Sequence, residues 1–332
     1  MIDHQDPARI VKRAVERSLA DIDPDECVLV AVSGGADSLA LARAVALTGR
    51  SMAVGIVDHS LQSDSAEVAR RAADQCVRLG VDAVYVDRVT VTKTGTGLEA
   101  AARDARGQAL EALADRIGAS TILLAHTRDD QAETVLLRLA RGSGARALAA
   151  MAPVSGRWRR PLLDVPRDLV RASVADLDVW EDPHNRDDAF ARTRVRWTAL
   201  PALVDALGPD VVSGLARSAR LLRDDADALD AMAAEVAPTL RQPDGSLDVG
   251  ALEGLPRALR TRIVKQTILA AGCPPAAITY AHVDRVEALV TDWHGQGGVD
   301  LPGGLVAERA YGRLAVNRAL PVADRRRDKR EE

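Results

Sequence analysis

The feature that most constrains this chain is an alternation in its first half. Short apolar runs at 27–32, 52–57, 83–86 and 121–125 are separated by Ala-rich helical patterns at about 38–48, 62–79 and 98–117. Another helical pattern starts near 129. Strands alternating with helices at this spacing predict an α/β fold, a parallel sheet with helices on both faces. In such sheets ligands bind outside the carboxyl ends of the strands. Three polar groups fall just past an expected strand: "SGGADS" at 33–38, Asp58-His59, and His126.

The rest of the chain reads differently. A turn-rich stretch at 197–210 leads out of the first domain, and the pattern is then helical to about 290. A hairpin is expected in "GGVDLPGGLVAERAYGRLAV", followed by a charged tail. The expected division is a catalytic domain over 1–205, a smaller mostly helical domain over 206–320, and a disordered tail over 321–332.

Composition limits the function classes. Hydrophobic residues make up 47% of the 332, enough for a sizeable core, and no apolar stretch reaches the roughly 20 residues of a membrane span. The N-terminus has no h-region of a signal peptide, and three scattered cysteines form no CxxC, so a reducing cytoplasm is the expected compartment. The formal net charge is −4, yet the cations are 40 Arg and 4 Lys. From Arg138 to Arg171 there are eight Arg against two Asp, and Arg186, Arg192, Arg194 and Arg196 follow. That basic region on a mildly acidic protein fits either an RNA footprint or a solvated face.

Within "SGGADS", Ser33 and Ser38 offer hydroxyls, while Gly34, Gly35 and Ala36 let backbone N–H groups approach phosphate oxygens. Asp37 is out of place beside phosphates unless Mg²⁺ lies between them or the carboxylate caps the loop's own N–H groups. The lysine of G-x-x-x-x-G-K-[ST] is absent, so the loop suits holding pyrophosphate as a leaving group better than moving a γ-phosphoryl. "GTGLEA" at 95–100 matches a loose dinucleotide pattern, but a flexible turn before a helix explains it equally.

"AHTRDDQAETVLLRLARGSG" begins at Ala125. Thr127 and Asp130 make a T-x-x-D capping box, while Asp130 and Glu133, three apart, share a helix face and form a pair able to take Mg²⁺ or an ammonium group. In "EDPHNRDDAFARTRVRWTALPAL" the arginines 192, 194 and 196 alternate. They are not expected to share one helix face, which leaves a surface loop or at least one inward-turned arginine.

Together, "SGGADS", "VDHSLQ", "GLEAAARDAR", "AHTRDDQAETVLLRLARGSG", "RRPLLDV" and the "EDPHN…R" block resemble, in order, the tRNA(Ile)-lysidine synthases, a branch of the PP-loop ATP pyrophosphatases. The resemblance covers about residues 25–203, and "VDLPGG…YGRL" is similar to that family's smaller C-terminal domain. It implies a ligase for which ATP and Mg²⁺ are cofactors. ATP adenylates the wobble cytidine of a CAU-anticodon tRNA(Ile), and free L-lysine then displaces AMP. By resemblance Ser33 to Ser38 would bind ATP with His126 nearby, and Asp37 would meet Mg²⁺. Asp130 and Glu133 would handle lysine or metal. Arg106, Arg192 and Arg196 would contact tRNA or the adenylate.

Four positions depart from the family pattern: Gln62 for an Arg, Gly107 for an aromatic, Thr127 for a second His and Thr193 for an Asn. The rival readings are another PP-loop tRNA-modifying or amide-forming enzyme and a non-catalytic nucleotide or RNA binder. Clustered cysteines for an iron–sulfur thiolase are missing from the sequence, and a 2% aromatic content argues against an RNA reader built on stacking. Monomer and homodimer both remain open.

Overall fold

The structure, a computed structural model, describes residues 6–58, 65–89, 98–181 and 187–319. The chain divides into two compact units, Met1–Arg223 and Asp224–Glu332. His59, Gln62, the first half of "GTGLEA", most of "EDPHN" and the charged tail lie outside the described residues.

The first unit runs α1 (Pro7–Ser18), β1 (Val28–Val32), α2 (Ala36–Ala46), β2 (Met52–Asp58), α3 (Ser65–Arg78), β3 (Ala83–Arg88) and α4 (Leu98–Ile117). Then follow β4 (Thr121–Leu123), α5 (Arg128–Leu139), α6 (Ala145–Leu148), β5 (Val154–Ser155), β6 (Trp158–Arg159), α7 (Arg167–Ala172), α8 (Ala191–Arg194) and α9 (Leu200–Leu207). A π-helical turn, Val195–Ala199, joins α8 to α9. The stretch read from sequence as turn-rich is therefore helical up to Leu207, with Pro201 directly after the π-helical turn in a helix continuous from α8. Next, α10 (Val211–Leu240) runs across the division between the units.

The sheet order is β3-β2-β1-β4-β6-β5, parallel except for the β5–β6 pair. Val30 pairs with Val54 on one side and Leu123 on the other, so β1 is central and all five of its residues are buried. A strand covered on both faces needs an unbroken apolar run, which is what "VLVAV" supplies. One face packs on α1, α2, α3 and α7 through Val15, Leu39, Leu41 and Val170; the other packs on α4 through Leu110 and Leu113. Gly55 of β2 lets α4 lie close: a Cβ there would sit 2.9 Å from Leu113 Cδ2 and 3.0 Å from Leu110 Cδ2.

The chain goes from β1 outward to β2 and β3, then returns to place β4 on the other side of β1. The crevice between the carboxyl ends of β1 and β4 is thus the topological switch point where open α/β sheets bind ligands.

The second unit contains β7 (Leu247–Asp248), α11 (Val249–Glu253), α12 (Arg257–Ala270), α13 (Tyr280–Thr291), β8 (Val299–Leu301), β9 (Leu305–Ala310) and β10 (Arg313–Arg318). The expected hairpin is a larger sheet, antiparallel in order β7-β10-β9-β8. The extra strands arise because Leu247, Val299 and Leu301 bury their side chains in the same core as Ile263 and Val286. Among the described residues no single helix is long and apolar enough to cross a membrane.

Candidate active site

The loop after β1 is closed by a hydroxyl. Ser33 N donates to Ser38 Oγ at 3.1 Å, and Ser38 Oγ donates to Gly35 O at 2.9 Å. Gly34 sits at φ +85°, a conformation that favours glycine, and its carbonyl accepts from Trp180 N at 3.2 Å. Gly35 caps α2 without a side-chain acceptor, so the first N–H groups of the helix remain for an anion, favoured by the helix dipole. The loop forms one wall of a cleft of about 400 Å³, whose other walls include Arg171, Trp180, Arg196 and Trp197.

Asp37, in the first turn of α2, has a buried Oδ1 with no hydrogen-bond partner. Burial and the charge of Asp130 push its carboxyl up to about 6, against the pull of Arg167, Arg171 and Arg196. A half-buried carboxylate with one buried, unmet oxygen beside a phosphate loop suits a divalent cation. Mg²⁺ commonly takes only one or two protein carboxylates plus substrate phosphates, so a single Asp fits it.

At the carboxyl end of β4, Thr127 caps α5 through the box expected from sequence. Asp130 N donates to Thr127 Oγ1, and Asp130 Oδ2 accepts from Thr127 N at 2.8 Å and Thr127 Oγ1 at 2.7 Å. Thr127, which departs from the family pattern, thus has a local task. Asp130's other oxygen faces three guanidinium groups: Oδ1 accepts from Arg167 Nη2 at 2.9 Å and from Arg192 Nη2 and Arg196 Nη2 at 3.1 Å each. Capping and ion pairing are carried by the two oxygens of one carboxylate.

Glu133, one turn on, is fully buried. Its Oε2 accepts from Arg192 Nε at 2.9 Å and its Oε1 from Arg196 Nε at 2.7 Å, with Arg167 Nη1 2.9 Å from Oε1. Burial would raise the Asp130 carboxyl, but Arg167, Arg192 and Thr127 outweigh it and hold it well below the usual range. Burial would likewise lower Arg167, and the surrounding carboxylates raise it.

Arg192 and Arg196, four apart, turn the same way onto Glu133, while Arg194 turns back to the carbonyls of Asp188 and Ala189 at 2.5 and 2.9 Å. The surface-loop reading of this segment is therefore corrected: two of its three alternating arginines face inward, because two buried carboxylates draw them there. Thr193, between them, is buried.

Arg167 was not singled out from sequence. It joins the two halves of the site: besides Asp130 and Glu133, its Nε lies 4.0 Å from Asp37 Oδ2, and its backbone N donates to Asp129 Oδ2 at 2.8 Å. A signal was present, since a cation in a helix's first turn opposes the helix dipole and implies acidic company.

His126 lies at the end of β4 with Nδ1 buried and unpartnered. Burial pulls its pKa down to about 4, opposed by Asp130 and helped by Arg160, Arg192 and Arg106, so the ring is neutral near pH 7. Arg106, on α4, stands apart from the ion-pair cluster and acts on His126 through its charge. At Gly107 a Cβ would meet nothing within 4 Å, so the position is open and imposes no glycine.

Comparison with known proteins adds to this geometry. Residues 7–203 match the family model described as a PP-loop domain, and 247–315 match that of a TilS substrate binding domain. The chain is 52% identical over 318 residues to the tRNA(Ile)-lysidine synthase of Thermobifida fusca, covering 94% of this chain and 98% of the relative. The enzyme of the same name from Mycobacterium leprae is 46% identical, with 93% and 95% covered. Among solved structures, the U34-tRNA thiolase NcsA of Methanococcus maripaludis superposes with a TM-score of 0.55 at 18% identity, over 65% of this chain and 80% of that one, a likeness of fold alone.

Proposed function

This chain belongs to the tRNA(Ile)-lysidine synthase family, and from that membership we propose that it joins free L-lysine to the wobble cytidine of a CAU-anticodon tRNA(Ile) in the cytoplasm. The cytosine C2 oxygen attacks the α-phosphorus of ATP, the bond to the β-phosphate oxygen breaks, and pyrophosphate leaves. The lysine ε-amine then attacks C2, loses a proton, and displaces AMP.

One observation above all supports the reading. The phosphate loop and the cluster of Arg167, Arg192 and Arg196 stand at the carboxyl ends of the adjacent strands β1 and β4. Two anionic departures, pyrophosphate and then AMP, need fixed positive charge that is in place before reaction. The N–H groups at the start of α2 and the hydroxyl of Ser33 hold the phosphates, Ser38 shapes the loop that presents them, and neutral His126 lies beside ATP. Mg²⁺, when bound, would be held by Asp37 and the phosphates and would screen the charge that departs with pyrophosphate.

We assign Asp130 and Glu133 a positioning part in place of the lysine or metal contact that the resemblance implied. With both Glu133 oxygens held by guanidinium groups, the pair works by fixing Arg192 and Arg196 in place and limiting their net charge. Contact between these carboxylates and the lysine amine would require an arginine to move aside. Arg106, outside the cluster, is left for tRNA. Residues 1–205 serve as the catalytic part and 206–320 as the part turned to tRNA. A sulfur-transfer alternative lacks support in the cysteines: Cys76 and Cys273 are buried, and burial pushes the Cys76 thiol up to about 11.

The test supplies unmodified CAU-anticodon tRNA(Ile), ATP, Mg²⁺ and labelled lysine. Label is expected in the tRNA with AMP and pyrophosphate formed in step; folded protein that incorporates none refutes the proposal.

A further inference from the structure

In the second unit, Ala310 pairs with Arg313, so β9 and β10 are joined by two residues, Tyr311 and Gly312. Both have positive φ, 48° and 74°. That backbone suits the right-handed twist of a hairpin, and its first position is normally Asn, Asp or Gly. A bulky aromatic there is strained. Strain of this kind persists where something else compensates for it. The Tyr311 ring itself compensates for none of it within the unit, since the side chain is wholly exposed.

The base of the turn is fixed. Val249 N donates to Gly312 O at 2.9 Å, Arg313 Nη1 donates to Asp244 Oδ2 at 2.9 Å, and Leu314 is buried. Two residues back along β9, the Arg309 guanidinium lies 5.2 Å from the centre of the Trp293 ring and donates to the carbonyls of Leu289 and Val290. The chain has eight aromatic residues, one Phe, four Trp and three Tyr, and Tyr311 is the most exposed of them. The surroundings carry both signs, Arg309 and Arg313 against Glu308 and Asp244, and the Arg313–Asp244 pair largely cancels.

We propose that Tyr311 is a stacking platform for an unpaired nucleobase of the tRNA substrate. This rests on the proposed function and names a contact that function does not include. The ring's open face accepts any base, so the contact adds affinity without reading sequence. Tyr311 lies within the stretch 247–315 that matches a substrate binding domain, and nucleic acid is the partner whose flat, unpaired bases such a ring fits. The scarcity of aromatics argues against stacking across a whole surface; one ring on a fixed turn is a single anchor.

The experiment compares the full chain with Tyr311→Asn and Tyr311→Phe. Asn is at ease at positive φ, so the turn is kept, and an unchanged or raised Tm confirms the fold. Dissociation constants for the CAU-anticodon tRNA(Ile) are measured at one salt concentration, together with kcat and KM for each substrate. Tyr311→Asn is expected to weaken tRNA binding and raise the tRNA KM roughly 5- to 100-fold. kcat and the KM values for ATP and lysine stay as in the parent, and Tyr311→Phe stays within about twofold throughout. Unchanged tRNA affinity in Tyr311→Asn overturns the proposal. So does a variant whose only loss is concentration-dependent self-association, because the ring's partner is then a second copy of the chain. If the parent binds tRNA but incorporates no lysine, the ligase reading fails while the binding comparison still decides the role of Tyr311.

Discussion

Arg196 holds Glu133 by two hydrogen bonds, Nε to Oε1 at 2.7 Å and Nη2 to Oε2 at 3.0 Å. Arg192 and Arg167 approach the same carboxylate. Breaking a buried ion pair from one side leaves the remaining charges desolvated and unmatched, at a cost of about 3–5 kcal/mol. Glu133→Ala is therefore expected to lower unfolding free energy by about 3 kcal/mol in urea and to impair lysine transfer more than ATP binding. A loss below about 0.5 kcal/mol would show that the cluster contributes little to the fold.

Asp37 is raised to about 6 from an ordinary 3.8, so between those values the folded chain holds a proton that the unfolded chain has lost. This group's contribution to stability is full below about pH 4 and is lost as pH rises through about 6. Without ATP or Mg²⁺, Asp37→Asn is expected to melt higher than the parent at about pH 8, by an amount worth roughly 2 kcal/mol, and to match it near pH 4. The same variant should release no pyrophosphate. Equal Tm values at pH 8 contradict the burial argument, and full turnover contradicts the catalytic one.

For His126 the direction reverses. Its pKa is lowered from 6.5 to about 4, so its contribution is present above 6.5 and is lost as pH falls through about 4. An NMR titration of the ring protons should give a midpoint well below 6.5 in the folded chain. ATP affinity should show no inflection from this residue between about pH 6 and 8. A midpoint at or above 6.5 would mean that the charge of Asp130 outweighs burial.

Gly55 is required by the approach of α4 to β2. Its alanine variant must push the buried Leu110 and Leu113, so overpacking is expected to cost about 1–3 kcal/mol by denaturant unfolding. The KM for ATP should stay close to that of the parent. A variant as stable as the parent would mean that the two leucines rearrange freely.

Much of the scaffold was legible because its causes are local. Val28–Val32 is a continuous apolar run, and continuous runs form strands buried on both faces. Thr127 and Asp130 are three residues apart, the reach of a capping box. The second unit's sheet was only partly legible. Two-residue strands such as Leu247–Asp248 have no periodicity of their own and exist because Arg313 and Leu314 pair with them.

From the sequence alone came the α/β order, the position of the phosphate loop, and the acidic pair on one face of α5. Those follow from side-chain periodicity and from hydrogen bonds a few residues long. Tertiary structure decided what the acidic pair meets. Arg167 lies 37 positions from Asp130, and Arg192 and Arg196 lie 59 and 63 positions from Glu133. Which cations neutralise a buried carboxylate depends on which elements desolvate it, and only packing fixes that. The sheet's crossover brings β4 next to β1, and with it the acidic pair, its three arginines and Asp37 come to share one crevice.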